Sequence, residues 1–308
     1  MIALAVLPIV LSLVLWRCAP ALAARCTPSW AARALVLLCL AAALTTGIVL
    51  CTVAWLAFAE IPAAGRFGHW SADALADQVP VPAVVGASAA AVAALSVIAA
   101  GVHLVRTLRR MAAAARACRA LGSGVDGLII VDDERAGAYA LPGWPGRIVV
   151  SRALLRVLDA DERRAVLAHE AAHLRHRHFV YVQLAQLAAV ANPLLRPAAA
   201  QVCRAVELWA DDDAATVVGD RLAVARALAR AALAHPPVAA PEPALAVARS
   251  DLACRVRNLL EPPPRRTGRA VALMVAVTIA CTGSGLAVST YAHARLEHAE
   301  SRYSIELR

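Results

Sequence analysis

Long uncharged apolar runs constrain this chain more than any other feature. A helix needs about 20 residues to cross some 30 Å of hydrocarbon. Three runs meet that length, and they cover residues 34–59, 78–105 and 270–294. A fourth run over residues 2–16 is shorter, but it extends to Ala24 if the Arg17 guanidinium reaches the lipid headgroups. A cleaved signal peptide requires basic residues before its apolar run. None precedes this run, so we interpret it as a first span. The sequence predicts an integral-membrane, mostly α-helical protein with four transmembrane helices.

The distribution of arginine orients these spans. The formal net charge is +9, and the arginines cluster between the first two runs, after the third and before the fourth. Residues 60–77, in contrast, carry three acidic residues and only Arg66. By the positive-inside rule, the N-terminus lies outside the cell membrane and residues 106–269 lie in the cytoplasm. Topology therefore accounts for the basic excess, and we expect a lipid bilayer as a partner but no direct contact with nucleic acid.

This topology divides the chain into four units. They are a three-span N-terminal membrane domain (1–105), a cytoplasmic domain (106–269), a fourth transmembrane helix (270–294) and a short external tail (295–308).

The cytoplasmic segment contains short β-type runs followed by helical patterns. Runs at 127–131, 138–141 and 147–150, with a Pro/Gly-rich turn at 142–146, predict a small antiparallel sheet. Residues 151–158 are typical of a short helix. Asp159 and Glu162 have the spacing of a capping box, which predicts that a long helix begins there. The domain is thus expected to be α+β.

An HExxH motif lies on the predicted long helix. His169 and His173 are four residues apart, so both imidazoles project from one helix face and can hold one Zn²⁺. Glu170 is rotated about 100° from His169, toward the open coordination position. The alternative is a polar helix face that is simply rich in histidine, since His176 and His178 follow closely.

A third ligand distinguishes these two interpretations. Glu207 and Asp211 stand in the E-x-x-A-D arrangement of glutamate-ligated zinc peptidases. Glu207 would complete a His₂Glu site, and Asp211, one turn further on, would accept the free ring N–H of a ligand histidine, His169 for preference. The alternative is an ordinary solvated acidic face that continues into Asp212 and Asp213.

An apolar run lies between the two motifs at residues 179–195. If it crossed the bilayer once, Glu207 would emerge on the opposite side from His169 and His173. Its polar residues Gln183 and Asn192 also disfavour exposure to lipid. We therefore predict a buried or interfacial helix here.

With these motifs in hand, the chain resembles the MecR/BlaR-type antirepressor metallopeptidases, which are integral-membrane gluzincins with three spans, a cytoplasmic protease domain and a further span. The resemblance rests on the layout, on the zinc motifs and on Asn-Pro-Leu-Leu at 192–195; the segment 255–260 adds to it. It implies zinc ligation by His169, His173 and Glu207, with Glu170 as the catalytic acid/base and Asp211 behind a ligand. This sequence departs from the family in that only 14 residues follow residue 294, so we expect no penicillin-binding sensor domain there.

The resemblance implies a zinc endopeptidase that cleaves a cytoplasmic protein, such as a winged-helix repressor of the BlaI/MecI type. We expect an extended substrate to pair with the strand at 138–141. The alternative protease is of the HtpX quality-control type, which has two spans between HExxH and the third ligand, whereas 33 residues separate His173 from Glu207 here. Two further alternatives are a simple membrane anchor and a non-proteolytic receptor with a structural zinc site. A fourth ligand from His176 or His178 would favour the receptor.

Overall fold

The computed structural model describes residues 2–120, 127–143, 146–234, 242–261 and 267–306. The elements in this part of the chain are, in order, α1 (Ile2–Ala23), α2 (Pro28–Ala59), α3 (Pro62–Gly68), α4 (Ala72–Gln78), α5 (Ala83–Ala120), β1 (Leu128–Val131), β2 (Ala138–Leu141), β3 (Arg147–Ser151), α6 (Arg152–Val157), α7 (Ala160–Arg175), α8 (His178–Ala191), α9 (Arg196–Val218), α10 (Arg221–Ala234), α11 (Glu242–Leu260) and α12 (Thr267–Glu306).

Four of these helices, α1, α2, α5 and α12, are long and apolar enough to cross a membrane. Each contains most of one of the apolar runs, so the prediction of a mostly helical protein with several membrane-length helices is confirmed. The number of spans that cross a bilayer and the orientation of the chain stay predictions.

The bounds of α5 and α12 differ from those of the apolar runs that these helices contain. Gln78 ends α4, and α5 begins only at Ala83, because Pro80 and Pro82 disfavour helix in the residues that precede them. Helix α5 then continues to Ala120, and α12 continues to Glu306. The proposed divisions at residues 105 and 294 therefore fall inside continuous helices.

Hydrogen bonds join distant segments of the chain at both ends of α12. Arg295 donates a hydrogen bond to Gln78 at 3.0 Å, which joins the C-terminal part of α12 to α4. At the opposite end of the long helices, the Thr27 amide donates to Thr267 at 3.1 Å. The C-terminal part of α12 is thus held to α4, and its start is held to the residue that precedes α2.

The three strands form one mixed sheet in the order β1–β3–β2. Strand β2 is antiparallel to β3, but β1 is parallel to it, so the prediction of an antiparallel sheet is wrong for β1. Val149 and Val150 make β3 the most buried strand, and the chain crosses from one side of it to the other between β1 and β2. Strand β2 is left at an edge. Part of the predicted turn, residues 144–145, lies outside the described residues.

Side-chain caps place the start of the motif helix. Ser151 accepts a hydrogen bond from the Leu154 amide and begins α6. Asp159 accepts from the Glu162 amide, and the Glu162 carboxylate accepts from the Asp159 amide in return. The predicted capping box is thus present, and it fixes the position at which α7 begins.

The apolar run between the motifs forms the first helix and the turn of a helical hairpin. Helix α8 has 14 residues, and the chain turns at a 3₁₀ segment over Pro193–Leu195 before α9 returns. The prediction of a buried or interfacial helix describes α8, which packs against α2, α5 and α9. Gly219, with φ of 79°, ends α9 in the left-handed conformation that glycine adopts without strain.

One apolar core joins this hairpin to the long helices. It contains buried leucines of α2, including Leu35 and Leu38, together with Ala185 of α8 and Val202 of α9. A second core of small residues packs α7 against α9, α10 and α11. The helices that carry the HExxH and E-x-x-A-D motifs are therefore held both to each other and to the membrane-length helices.

Candidate active site

Helices α7 and α9 bring three potential metal ligands together. His169 and His173 lie one turn apart on α7, and Glu207 faces them from α9. One ligand atom from each of the three residues lies within 4.8 Å of the others. The two His Nε2 atoms are 3.1 Å apart, and the Glu207 carboxylate oxygens lie 3.5 Å from His169 Nε2 and 3.6 Å from His173 Nε2.

These distances suit a tetrahedral zinc ion. Zinc–nitrogen and zinc–oxygen bonds of 2.0–2.2 Å place neighbouring donors of a tetrahedron about 3.3 Å apart. The separations of 3.1, 3.5 and 3.6 Å bracket that value, with a different oxygen of Glu207 facing each histidine. Two nitrogens and one carboxylate are also the donor set of catalytic zinc sites that keep a fourth position open. The residues therefore fit a zinc ion.

Asp211 lies behind His169, one turn along α9 from Glu207. Its Oδ1 is 3.0 Å from His169 Nδ1, on the opposite side of the ring from the Nε2 atom that faces Glu207. The carboxylate is 1% exposed. A proton on Nδ1 that donates to Asp211 leaves the lone pair on Nε2, which is the atom a metal requires.

Arg255 of α11 connects Asp211 and Glu207, two of the four acidic residues of α9. Its Nε and Nη2 atoms donate to the two oxygens of Asp211 at 2.8 and 2.7 Å, and Nη1 lies 3.2 Å from Glu207 Oε2. This fork geometry is the strong bidentate form of an arginine–carboxylate pair. Residue 255 belongs to the segment that adds to the family resemblance, but the sequence indicates no role for it. No spacing rule links it to the motifs, because it lies 44 residues after Asp211 on another helix.

The charged neighbours shift the pKa values of the site in opposite directions. Burial alone would lower the pKa of His169, but its hydrogen bonds to Asp211 and Glu207 raise it to about 9. Burial lowers the pKa of His173 to about 4. Burial works against ionisation of Glu207, yet the hydrogen bond with His169 and the charge of Arg255 lower its pKa to about 2.

Glu170 lines a cleft of about 450 Å³ together with the three ligand candidates and Arg255. Burial raises the pKa of its carboxyl group, although a backbone hydrogen bond from Ala140 opposes the shift. The edge strand β2, including the half-exposed Tyr139, forms one wall of the same cleft. A carboxylate with a raised pKa, beside a cleft and a metal site, suits a group that takes up and releases a proton.

The two later histidines have other partners than the proposed metal, although His178 also lines the cleft. His176 Nε2 is 2.7 Å from Asp213, and its ring stacks on Trp209. His178 is buried. Its Nδ1 atom lies 3.1 Å from Nδ1 of His173, which is not the nitrogen that faces His169 and Glu207. Among the described residues, the metal-binding group is therefore three residues, and neither later histidine is placed as a fourth ligand.

Comparison with known proteins points to one peptidase family. Residues 103–231 match the model of peptidase family M48. The matched segment includes the HExxH motif, Glu207 and Asp211. A 47-residue segment is 53% identical to a protease HtpX homolog of Thermoplasma acidophilum and covers 15% of each chain. A 60-residue segment is 43% identical to a protease HtpX homolog of Aeropyrum pernix and covers 20% of this chain and 19% of that one.

These similarities are local. The chain matches less than a fifth of the length of either curated relative. No solved structure matches the chain. The family match and the long apolar helices support a membrane metallopeptidase, while the MecR/BlaR subtype is not distinguished from the HtpX type by these comparisons.

Proposed function

We propose that this protein is an integral-membrane zinc endopeptidase that cleaves a cytoplasmic protein as a regulatory step. The proposal rests on the group formed by His169, His173 and Glu207 next to Glu170. The distances between the ligand atoms suit a tetrahedral zinc ion. Glu207 comes from α9, which shares a core with the membrane-length helices, and the other three residues come from α7, which packs against α9.

In the proposed reaction, Zn²⁺ held by the two histidines and Glu207 would polarise the peptide carbonyl and acidify the attacking water. Glu170 takes a proton from that water and returns it to the leaving amine. The raised pKa of its carboxyl group suits the first transfer, because a more basic carboxylate takes up the proton more readily, and the proton then passes to the amine nitrogen as the C–N bond breaks. Asp211 and Arg255 keep the donor atoms in place throughout.

Substrate binding is proposed along strand β2. Its outer edge is not paired with another strand among the described residues, and it forms a wall of the cleft beside Glu170. An extended peptide that added to this edge would gain backbone hydrogen bonds that do not depend on sequence. Side-chain pockets of the cleft, bordered by Phe179 and Val182, would then supply the selectivity.

A repressor of the BlaI/MecI type is the proposed substrate, and the motif layout supports it. Arginine placement orients the site toward the cytoplasm, where such a repressor is found. The hairpin of α8 and α9 supports this assignment over the alternative, because a 14-residue helix is too short to cross some 30 Å of hydrocarbon. Two spans between HExxH and the third ligand would be typical of the HtpX type.

An HtpX-type quality-control protease is the second candidate. The curated relatives favour it, since both are named protease HtpX homolog. Such an enzyme would cleave unfolded membrane proteins with little dependence on sequence.

A competition between substrates distinguishes the two candidates. The full-length protein in nanodiscs is loaded with one equivalent of Zn²⁺ and offered a BlaI/MecI-type repressor, the same repressor scrambled around its cleavage site, and an unfolded membrane protein. The regulatory proposal predicts one cut in the native repressor and none in the scrambled form. Cleavage of the unfolded membrane protein at many sites, with the repressor intact, would favour the HtpX type. Bound zinc without cleavage of any of the three would favour a non-proteolytic receptor.

A further inference from the structure

The proposed reaction assigns no role to His178. It is the first residue of α8, it is 1% exposed, and it lies directly behind His173. Its Nδ1 atom is 3.1 Å from Nδ1 of His173, and the two rings meet edge to face at 88°. His173 uses its other nitrogen, Nε2, toward His169 and Glu207.

We propose that His178 is a positioning residue that fixes the ring orientation and tautomer of His173 for zinc binding, which rests on the proposed zinc peptidase function. The relation matches that between Asp211 and His169 on the other side of the site, but the acceptor is a neutral imidazole instead of a carboxylate. Each ligand histidine then has its own partner on the nitrogen that does not face the metal.

The hydrogen bond between the two rings has only two forms. If His178 donated from Nδ1, then Nδ1 of His173 would be the acceptor, and its proton would sit on Nε2, where it blocks a metal. If His173 donates from Nδ1, its Nε2 carries a lone pair, and His178 must carry its proton on Nε2. Zinc binding is therefore compatible with the second form alone.

The surroundings of His178 hold the ring in place. Its Nε2 atom is buried and has no hydrogen-bond partner among the described residues, so the proton that the zinc-competent form places there is unpaired and the ring is held by packing. The ring packs against Trp209 at 4.7 Å and against His176 at 5.5 Å between centroids. An aromatic enclosure of this kind restricts rotation of the ring, so that its Nδ1 stays directed at His173.

The backbone before His178 is bent to bring the ring back to α7. Arg177 has φ of 51° and ψ of 46°, a left-handed conformation that is unfavourable for a residue with a Cβ atom. This single residue separates the cap of α7 from the start of α8. Strained backbone of this kind is found where a side chain must be held for function, and the side chain that it delivers here is His178.

The test compares the zinc affinity of three variants, all in full-length protein with Glu170→Gln so that no turnover occurs. His178→Leu removes the acceptor, and the zinc dissociation constant should rise about 10- to 100-fold, measured by competition with a chromophoric chelator. His178→Asn places an amide oxygen near the position of Nδ1 and should restore most of the affinity. His293→Leu is the matched control, because His293 lies on α12, is 73% exposed and pairs with Glu297, so its affinity should stay at the parent value.

Equal zinc affinity in His178→Leu and its parent would overturn the inference while leaving the proposed function intact. Failure of the parent protein to bind zinc would overturn both. If His178→Leu does not fold, solid-state ¹⁵N NMR of zinc-loaded protein decides the matter. The inference predicts a protonated Nδ1 on His173 and an unprotonated Nδ1 on His178, and the reverse pattern, or no coupling between them, would contradict it.

Discussion

The Asp211 carboxylate lies 3.0 Å from His169 Nδ1 and is held from its other side by the Arg255 fork. This chain of contacts runs from the candidate metal site, through α9, to α11. It orients the histidine and at the same time supplies the countercharge for a carboxylate that is almost fully buried. The contact of Asp211 with His169 and its contact with Arg255 each lead to a prediction.

Replacing Asp211 by Asn should weaken zinc binding without removing a ligand. An amide oxygen in the Oδ1 position could still accept from His169 and from Nη2 of Arg255, but the NH₂ group would then face the Nε–H of Arg255, and the negative charge beside His169 would be lost. We expect a zinc dissociation constant about 10- to 100-fold higher, measured by chelator competition. Asp213→Asn is the control, since Asp213 contacts His176 and Arg175 and not a ligand candidate. Equal losses in the two variants would contradict this role of Asp211.

Replacing Arg255 by Leu should destabilise the zinc-free protein. It would leave Asp211 buried with only His169 as a partner, and removal of one member of a buried ion pair costs about 3–5 kcal/mol in the free energy of unfolding. Arg257→Leu is the matched control: its side chain is 70% exposed and lies 4.0 Å from Glu261, so the change should be about 0.5 kcal/mol or less. Denaturant unfolding in detergent measures both. Equal stability of the two variants would show that Arg255 has no such role.

Zinc affinity should increase with pH between 7 and 9. In the metal-free protein the pKa of His169 is raised to about 9, so below that pH zinc must displace a proton from the ring. Each unit of pH should strengthen binding up to about tenfold, and the dependence should flatten above pH 9. His173 and Glu207, with pKa values of about 4 and 2, are already unprotonated and add no slope in this range.

Calorimetry in buffers of different ionisation enthalpy checks this prediction. Close to one proton should be released per zinc bound at pH 7. Binding without proton release, or an affinity independent of pH, would contradict the assigned charge state of His169.

Asn192 should contribute to stability through the hairpin turn. Its side chain is 5% exposed, donates to Ser12 of α1 and Thr46 of α2, and accepts from the Leu194 amide. Asn192→Ala should therefore lower the free energy of unfolding by about 1–2 kcal/mol. A double-mutant cycle with Ser12→Ala should give a coupling of about 0.6 kcal/mol, as for other hydrogen bonds between membrane helices. Additive effects of the two substitutions would show that the contact carries no energy.

The sequence contained the elements whose signals are local. Apolar runs, the capping box of Asp159 and Glu162, and the i, i+4 spacing of His169 and His173 each depend on residues that are close along the chain. The helices and the proximity of the motif residues could therefore be predicted. The assignment of His169, His173 and Glu207 as ligands stays a prediction, which the geometry supports.

Features that depend on distant contacts could not be predicted. The parallel pairing of β1 with β3 arises because burial of Val149 and Val150 makes β3 the central strand, and nearest-neighbour pairing gives the wrong order. The role of Arg255 follows from the packing of α11 on α9, which no motif spacing encodes. The contact of His178 with His173 depends on the unusual backbone of Arg177.

The most direct test of the account is a comparison of wild type with Glu170→Gln in zinc-loaded full-length protein, with Glu134→Gln, in an exposed loop, as a matched control. We expect one bound zinc in all three proteins, with cleavage reduced at least about 100-fold in Glu170→Gln alone, because the proton carrier is lost and the metal site is kept. Cleavage by Glu170→Gln at the wild-type rate, or absence of bound zinc from the wild type, would contradict the assignment of this site as a zinc peptidase centre.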